Sequence, residues 1–155
     1  MTVDDLVEYG VERMTDDDIR AFLPSQGRGV LGLPTDGAPY LLPMSFDYDG
    51  DSRLYFTFVV GSGSRKRDLS ESNEAASFLV YRADTAFTWE SVRLAGRLER
   101  VPEEEVESVG ETLENAWRPD LFERASTETA TELYRFVVEE QTGIRHTGLP
   151  PEFDG

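Results

Sequence analysis

Apolar residues recur at every second position through several short stretches of this chain, and at helical spacing in only a few. In residues 53–60, Leu54, Phe56, Phe58 and Val60 share one face of an extended segment, and Tyr55, Thr57 and Val59 share the other. That pattern predicts a strand covered on both sides. Residues 29–34, 39–48, 76–82 and 87–101 read as further strands, with Thr35-Asp36-Gly37 and Asp49-Gly50-Asp51 as turns. Along 87–101, Val92, Leu94, Gly96 and Leu98 are expected inward, and Ser91, Arg93, Arg97 and Glu99 outward. Tyr134, Phe136, Val138 and Ile144 mark a last strand. Pro43 cannot donate to a ladder, so the second strand is expected at a sheet edge or broken by a bulge.

The helical stretches are peripheral. Thr15 precedes Asp16-Asp17-Asp18, a capped and acidic first turn, and Ile19, Phe22 and Leu23 form a stripe that Pro24 is expected to end. Pro102 and Glu103-Glu104-Glu105 open a second helix, with Val106, Val109, Leu113 and Trp117 on its core-facing side. Short helices are also expected over 65–73 and 120–124. Residues 1–14 are polar, with Leu6, Val7, Tyr9 and Val11 as docking points. Six strands with peripheral helices predict a mainly β fold, a closed or nearly closed six-stranded antiparallel barrel in one domain spanning residues 1–155.

Charge narrows the partners. The 155 residues carry a net charge of −16, with 31 acids against 15 bases, and Lys66 is the only lysine. Such a surface repels nucleic acid and anionic membranes. Acids spread along the whole chain, with arginine as nearly every base, read as adaptation to high salt, where screening shortens to ~3 Å at 1 M. A generally acidic cytoplasmic protein is the alternative. Nine Phe, six Tyr and two Trp argue for a packed core despite the charge. No apolar run approaches the ~18 residues of a membrane helix and no signal peptide is recognisable, so a cytoplasmic location is expected.

The absence of cysteine removes thiolate and cysteine–metal chemistry, and a single histidine, His146, leaves no zinc constellation. His146 reads most simply as an exposed or hydrogen-bonded residue. Any chemistry therefore points to a bound cofactor. The strand at 53–60 runs into Gly61-Ser62-Gly63-Ser64, whose small residues let a ligand approach backbone amides, and then into Arg65-Lys66-Arg67. A lone lysine beside a Gly/Ser turn and a helix start suits a phosphate. A solvated charge run paired with acids such as Asp68 explains the same residues equally well.

Three segments together resemble the pyridoxamine 5′-phosphate oxidase-related FMN-binding split barrels. They are Leu41-Leu42-Pro43-Met44-Ser45-Phe46 followed by an acidic turn and Leu54-Tyr55-Phe56-Thr57; Ser64-Arg65-Lys66; and Ser91 to Arg100 with its internal Gly96. The likeness covers about residues 15–101. Pro-Met-Ser in the second strand is closer to the nitroimidazole-resistance-like branch, and the oxidase's arginine-leucine-x-proline ending is missing. The resemblance implies a homodimer with FMN in a groove between protomers. Ser64, Arg65 and Lys66 would hold the phosphate, and backbone groups and side chains around Pro43, Met44, Ser45, Phe56, Thr57 and Phe58 would contact the ring and ribityl chain. Ser91 would reach the flavin from the second subunit. It implies an FMN-dependent oxidoreductase acting on a small molecule other than pyridoxamine phosphate. A non-catalytic flavin carrier or interaction module, and a deazaflavin-dependent reductase on the same barrel, are the alternatives.

Overall fold

A computed structural model describes residues 10–61, 75–112 and 129–146. They form eight strands, β1 (Val11–Arg13), β2 (Arg28–Leu33), β3 (Tyr40–Ser45), β4 (Asp47–Tyr48), β5 (Arg53–Gly61), β6 (Ala75–Thr85), β7 (Thr88–Arg100) and β8 (Thr129–His146), and two helices, α1 (Asp16–Gln26) and α2 (Glu103–Thr112). All strand pairs are antiparallel, in the order β3-β2-β6-β7-β8-β5-β4, with β1 added on β8.

The two ends of that path, β3 and β4, are separated in sequence by Phe46 alone. The sheet therefore has to curl until its ends meet, which makes it a split barrel. Phe46 fixes the junction: its N–H donates to the Gly27 carbonyl at 3.0 Å, and its ring enters the core edge-on to Phe78, centroids 5.3 Å apart.

All six expected strands are present. The stretch 39–48 is broken at Phe46 into β3 and β4, and β1 is an addition, so the count is eight rather than six. β1 was illegible because only Val11 of its three residues is apolar; its backbone pairing with β8 defines it. Pro43 lies on β3, which is indeed an edge strand among the described residues.

The alternation reads directly into the interior. Leu31, Leu33, Leu54, Phe56, Phe58, Phe78, Val80, Val92, Leu94 and Phe136 are completely buried in one cluster. Each large side chain so buried contributes about 1.5–3 kcal/mol relative to exposure. The opposite face of β5 is covered too: Tyr55 packs with Val101 and Leu133 under Val106 and Val109 of α2. Leu113 and Trp117, and the helices expected over 65–73 and 120–124, lie outside the described residues.

α1 closes one end of the barrel with Ile19, Phe22 and Leu23. Thr15 Oγ1 accepts from the Asp18 N–H at 3.1 Å and Asp18 Oδ2 accepts from the Thr15 N–H at 2.9 Å, a reciprocal cap. Pro24 does not end this helix, contrary to expectation. It removes one N–H near the C-terminus, Ser25 Oγ donates to the Phe22 carbonyl at 2.5 Å, and the turn continues to Gln26. Gly27, at φ 71°, makes the stop instead.

Candidate functional site

The expected site residues separate by strand register. On β3, Pro43 and Ser45 are exposed, whereas Met44 is half-buried against the core. On β5, Thr57 is half-buried on the outer face, but Phe56 and Phe58 point into the barrel. Phe56 packs against Phe78 at 4.9 Å and Phe58 stacks on Tyr134 at 4.5 Å. Their rings cannot meet a surface ligand; only their backbone could. Ser64, Arg65 and Lys66 lie outside the described residues.

Directly paired residues share a sheet face, which extends the outer wall beyond those residues. Asp47 pairs with Tyr55, and Tyr55 with Arg135 of β8. Ser45 and Asp47 flank the inward Phe46, so they share an outer surface with Tyr55 and Thr57 where the ends of the barrel meet, Tyr55 itself lying under α2. The Asp49 Oδ1 atom organises the turn below it, accepting from the N–H groups of Asp51, Ser52 and Arg53 at 2.8, 3.0 and 3.1 Å. Arg135, only 15% exposed, sits between Glu99 and Glu105, at 3.3 Å from each. Asp47 has no such cation, and burial pushes its carboxyl up to about 6. Nothing in the pattern of apolar positions singles out Asp47; a lone acid between two aromatic residues at a strand junction was the available signal.

Ser91 stands elsewhere. It is half-buried on β7, beside a groove of about 430 Å³ that Arg13, Leu79, Arg93 and Thr142 also line. Its partner on β8 is Ile144, whereas the partner of Thr57 is Leu133, eleven residues earlier. That is roughly 36 Å of extended chain at ~3.3 Å per residue. Within one chain, Ser91 and Thr57 do not converge.

A second outer surface runs across β3, β2, β6 and β7. Pro43, Val30, Leu79 and Arg93 are successive cross-strand neighbours, and so are Leu41, Gly32, Ser77 and Ala95 one row along. Leu41 is 65% exposed and Tyr81 56% exposed, with Leu79 exposed between them. Small residues on the second row floor a groove of about 740 Å³, bounded by Glu139 and Glu140.

His146 is buried, not exposed. Its Nδ1 meets the Phe87 carbonyl oxygen and its ring lies near Trp89 at 6.4 Å, so it ties the β6–β7 turn to the end of β8. Among the described residues no group of histidine, cysteine or carboxylate side chains could hold a metal ion. No described helix is long and apolar enough to cross a membrane.

Residues 15–145 match the family model of pyridoxamine 5′-phosphate oxidase. The chain belongs to the pyridoxamine 5′-phosphate oxidase family. No curated protein matches it in sequence. Among solved structures, the chain is similar to a FAD-binding protein from Mesorhizobium loti, with TM-score 0.70, 19% identity, and coverage of 89% of this chain and 98% of that one. It is also similar to a FAD- and heme-binding protein from Mycobacterium smegmatis, with TM-score 0.70, 19% identity, and coverage of 94% and 77%. A candidate 5-nitroimidazole antibiotic resistance protein from Bacteroides thetaiotaomicron gives TM-score 0.65, 18% identity, and coverage of 88% and 89%. For this member of the oxidase family, identities this low establish the shared split barrel and nothing finer.

Proposed function

We propose that this chain is a cytoplasmic, homodimeric FMN-binding protein that acts as a flavin-dependent oxidoreductase on a small molecule. The observation that carries the reading is the family match together with the Ser64-Arg65-Lys66 sequence immediately beyond β5. The relatives described as FAD-binding support a flavin of some kind, and FMN is the finer assignment.

The outer wall suits a planar ring with a polar rim. Among the described residues β3 pairs with β2 alone, which leaves its other edge facing a ligand. Pro43 gives an apolar contact without a competing N–H, and the Ser45 and Thr57 hydroxyls can donate or accept. Arg65 and Lys66 would hold the phosphate, Arg65 by a fork of N–H donors and Lys66 as a point charge. Once bound, the flavin would supply hydride and electron transfer that none of these side chains offers. The chain's own work is to orient the ring and exclude water from one face.

The separation of Ser91 from Thr57 favours a dimer: a flavin lying on one protomer's β3 and β5 would meet Ser91 only of the other. The exposed Leu41, Leu79 and Tyr81 beside Pro43 supply an apolar surface for that contact.

The purified protein should be yellow in an absorption spectrum and run as a dimer by light scattering. Arg65→Ala with Lys66→Ala should release FMN while the dimer persists. Full flavin occupancy in the double variant would overturn the phosphate assignment. Steady oxidation of NADH or NADPH by the loaded protein would establish turnover; its absence with all acceptors would leave a flavin carrier.

A further inference from the structure

Asp47 is a half-buried carboxyl placed on the outer wall between Ser45 and Tyr55, two residues along the face from Thr57. Among the described residues it makes no ion pair and accepts no hydrogen bond. The charged and titratable groups on the elements around it leave its burial uncompensated. On β8, Arg135 is held by Glu99 and Glu105. On β5, Tyr55 is buried in the outer cluster beneath α2, and Arg53 is an exposed cation on the same face, as is Arg28 of β2 beside Ser45. Neither offsets the burial of Asp47, for which desolvation is the cause of the raised carboxyl. On α1, Arg20 pairs with Asp17 at 3.4 Å. In the β4–β5 turn, Asp49 and Asp51 add negative charge, and the Tyr48 hydroxyl donates to the Asp51 carbonyl.

Resting on the flavin reading above, we propose that Asp47 is a binding residue for the ring, taking it up in the protonated form and so making flavin affinity depend on pH. The physical argument concerns solvation. A carboxylate that is already partly desolvated and unpaired loses its remaining water when a planar ligand covers the wall. The charged form then becomes costly, whereas the neutral acid can donate to a carbonyl or ring nitrogen at the ligand's edge. Burial already pushes the free carboxyl up to about 6, so the further rise on binding falls in an accessible range. By linkage, a group whose pKa is raised by a ligand binds that ligand better below the free pKa and worse above the bound one.

The test is FMN titration of the full-length protein by flavin fluorescence at about pH 5 and about pH 8, with Asp47→Asn alongside. The FMN phosphate changes charge near pH 6 as well, so the readout is the ratio of wild-type to variant Kd rather than either alone. That ratio should be near one at the lower pH and roughly tenfold higher at the upper, as follows if binding raises the Asp47 pKa by about one. A ratio that stays flat overturns the proposal while leaving flavin binding intact. Riboflavin, which has no phosphate, should show the same pH trend on the wild type directly.

If Asp47→Asn fails to fold, carbon-detected NMR of the wild-type carboxyl decides the matter. Its midpoint should rise when FMN is added, and an unchanged midpoint in the loaded protein overturns the assignment. Absence of FMN binding by the wild type at either pH would overturn the flavin reading and this inference with it.

Discussion

Gly96 lies against the backbone of Val137 so closely that a methyl group on its Cα would overlap the Val137 carbonyl oxygen. The contact comes from a bulge. Ala95 pairs with Glu140 but Gly96 with Val138, so Glu139 is the extra residue and β8 bends there. Because the obstacle is backbone rather than a flexible side chain, it cannot step aside. Gly96→Ala should destabilise the protein by about 1–3 kcal/mol or more, read as a lower urea midpoint. An unchanged midpoint would mean that the β7–β8 pairing can shift register there.

Phe56 separates a packing role from a binding role. It is fully buried, 4.9 Å from Phe78 and 6.4 Å from Phe136 by ring centroids. Phe56→Ala should cost about 3–5 kcal/mol, and Phe56→Leu considerably less. In the leucine variant, which retains a filled core, FMN affinity should match wild type. A large loss of affinity at full folding would place the ring at the ligand.

How much of this was legible beforehand follows from which forces write themselves into a local pattern. The alternation of Leu54, Phe56 and Phe58 specified both a strand and its buried face, because burial on one face demands period two. The same alternation bears on contacts inferred from a motif: Phe56 and Phe58 adjoin Thr57 in sequence, yet the pleat sends their rings to the other side and leaves only their backbone at the outer wall. Pro24 showed a related limit, since a proline near a helix end removes one bond without removing the tertiary packing of Phe22 and Leu23. β1 and the break at Phe46 were invisible because both depend on long-range pairing. Asp47 was missed for a similar reason: its environment is created by strands β4 and β5 meeting, not by its neighbours in the chain.

The cap on α1 sets a pH response of its own. The Thr15 backbone N–H, then its hydroxyl, hold the Asp18 carboxyl below the usual carboxylate range. A depressed folded-state pKa stabilises the fold above the unfolded value, and that contribution is lost as pH falls through the folded one. Asp18→Asn should therefore reduce stability at neutral pH and approach wild type in acid. Thermal unfolding at several pH values would show the two curves converging; a constant offset down to the lowest pH would remove the carboxylate from the cap.

Net charge makes a separate demand. At −16 over 155 residues, self-repulsion opposes compaction, and salt should relieve it as the screening length falls from about 10 Å at 0.1 M to about 3 Å at 1 M. Sodium chloride across that range should raise the melting temperature. Ion pairs such as Arg82–Asp84, more than half exposed on both sides, contribute too little to reverse the trend. A melting temperature that falls with salt would mean that attractive pairs outweigh the excess of acids.

Asp47 also predicts an effect on the apo-protein that needs no ligand. Its folded-state carboxyl sits at about 6, above the ordinary value of 3.8, and desolvation is the cause. A raised carboxyl pKa means the folded state holds a proton that the unfolded chain releases, so its sign is opposite to that of Asp18. The penalty for ionised Asp47 is present in full above about pH 6, shrinks as pH falls through that value, and vanishes below about pH 4. Asp47→Asn should accordingly stabilise the protein at about pH 8, by about 1 kcal/mol once solvent screening of a half-exposed group is allowed for. At about pH 4 the variant and wild type should unfold together. The comparison is a pair of urea titrations, and a variant less stable than wild type at the higher pH would mean that the carboxylate has a favourable partner in solution.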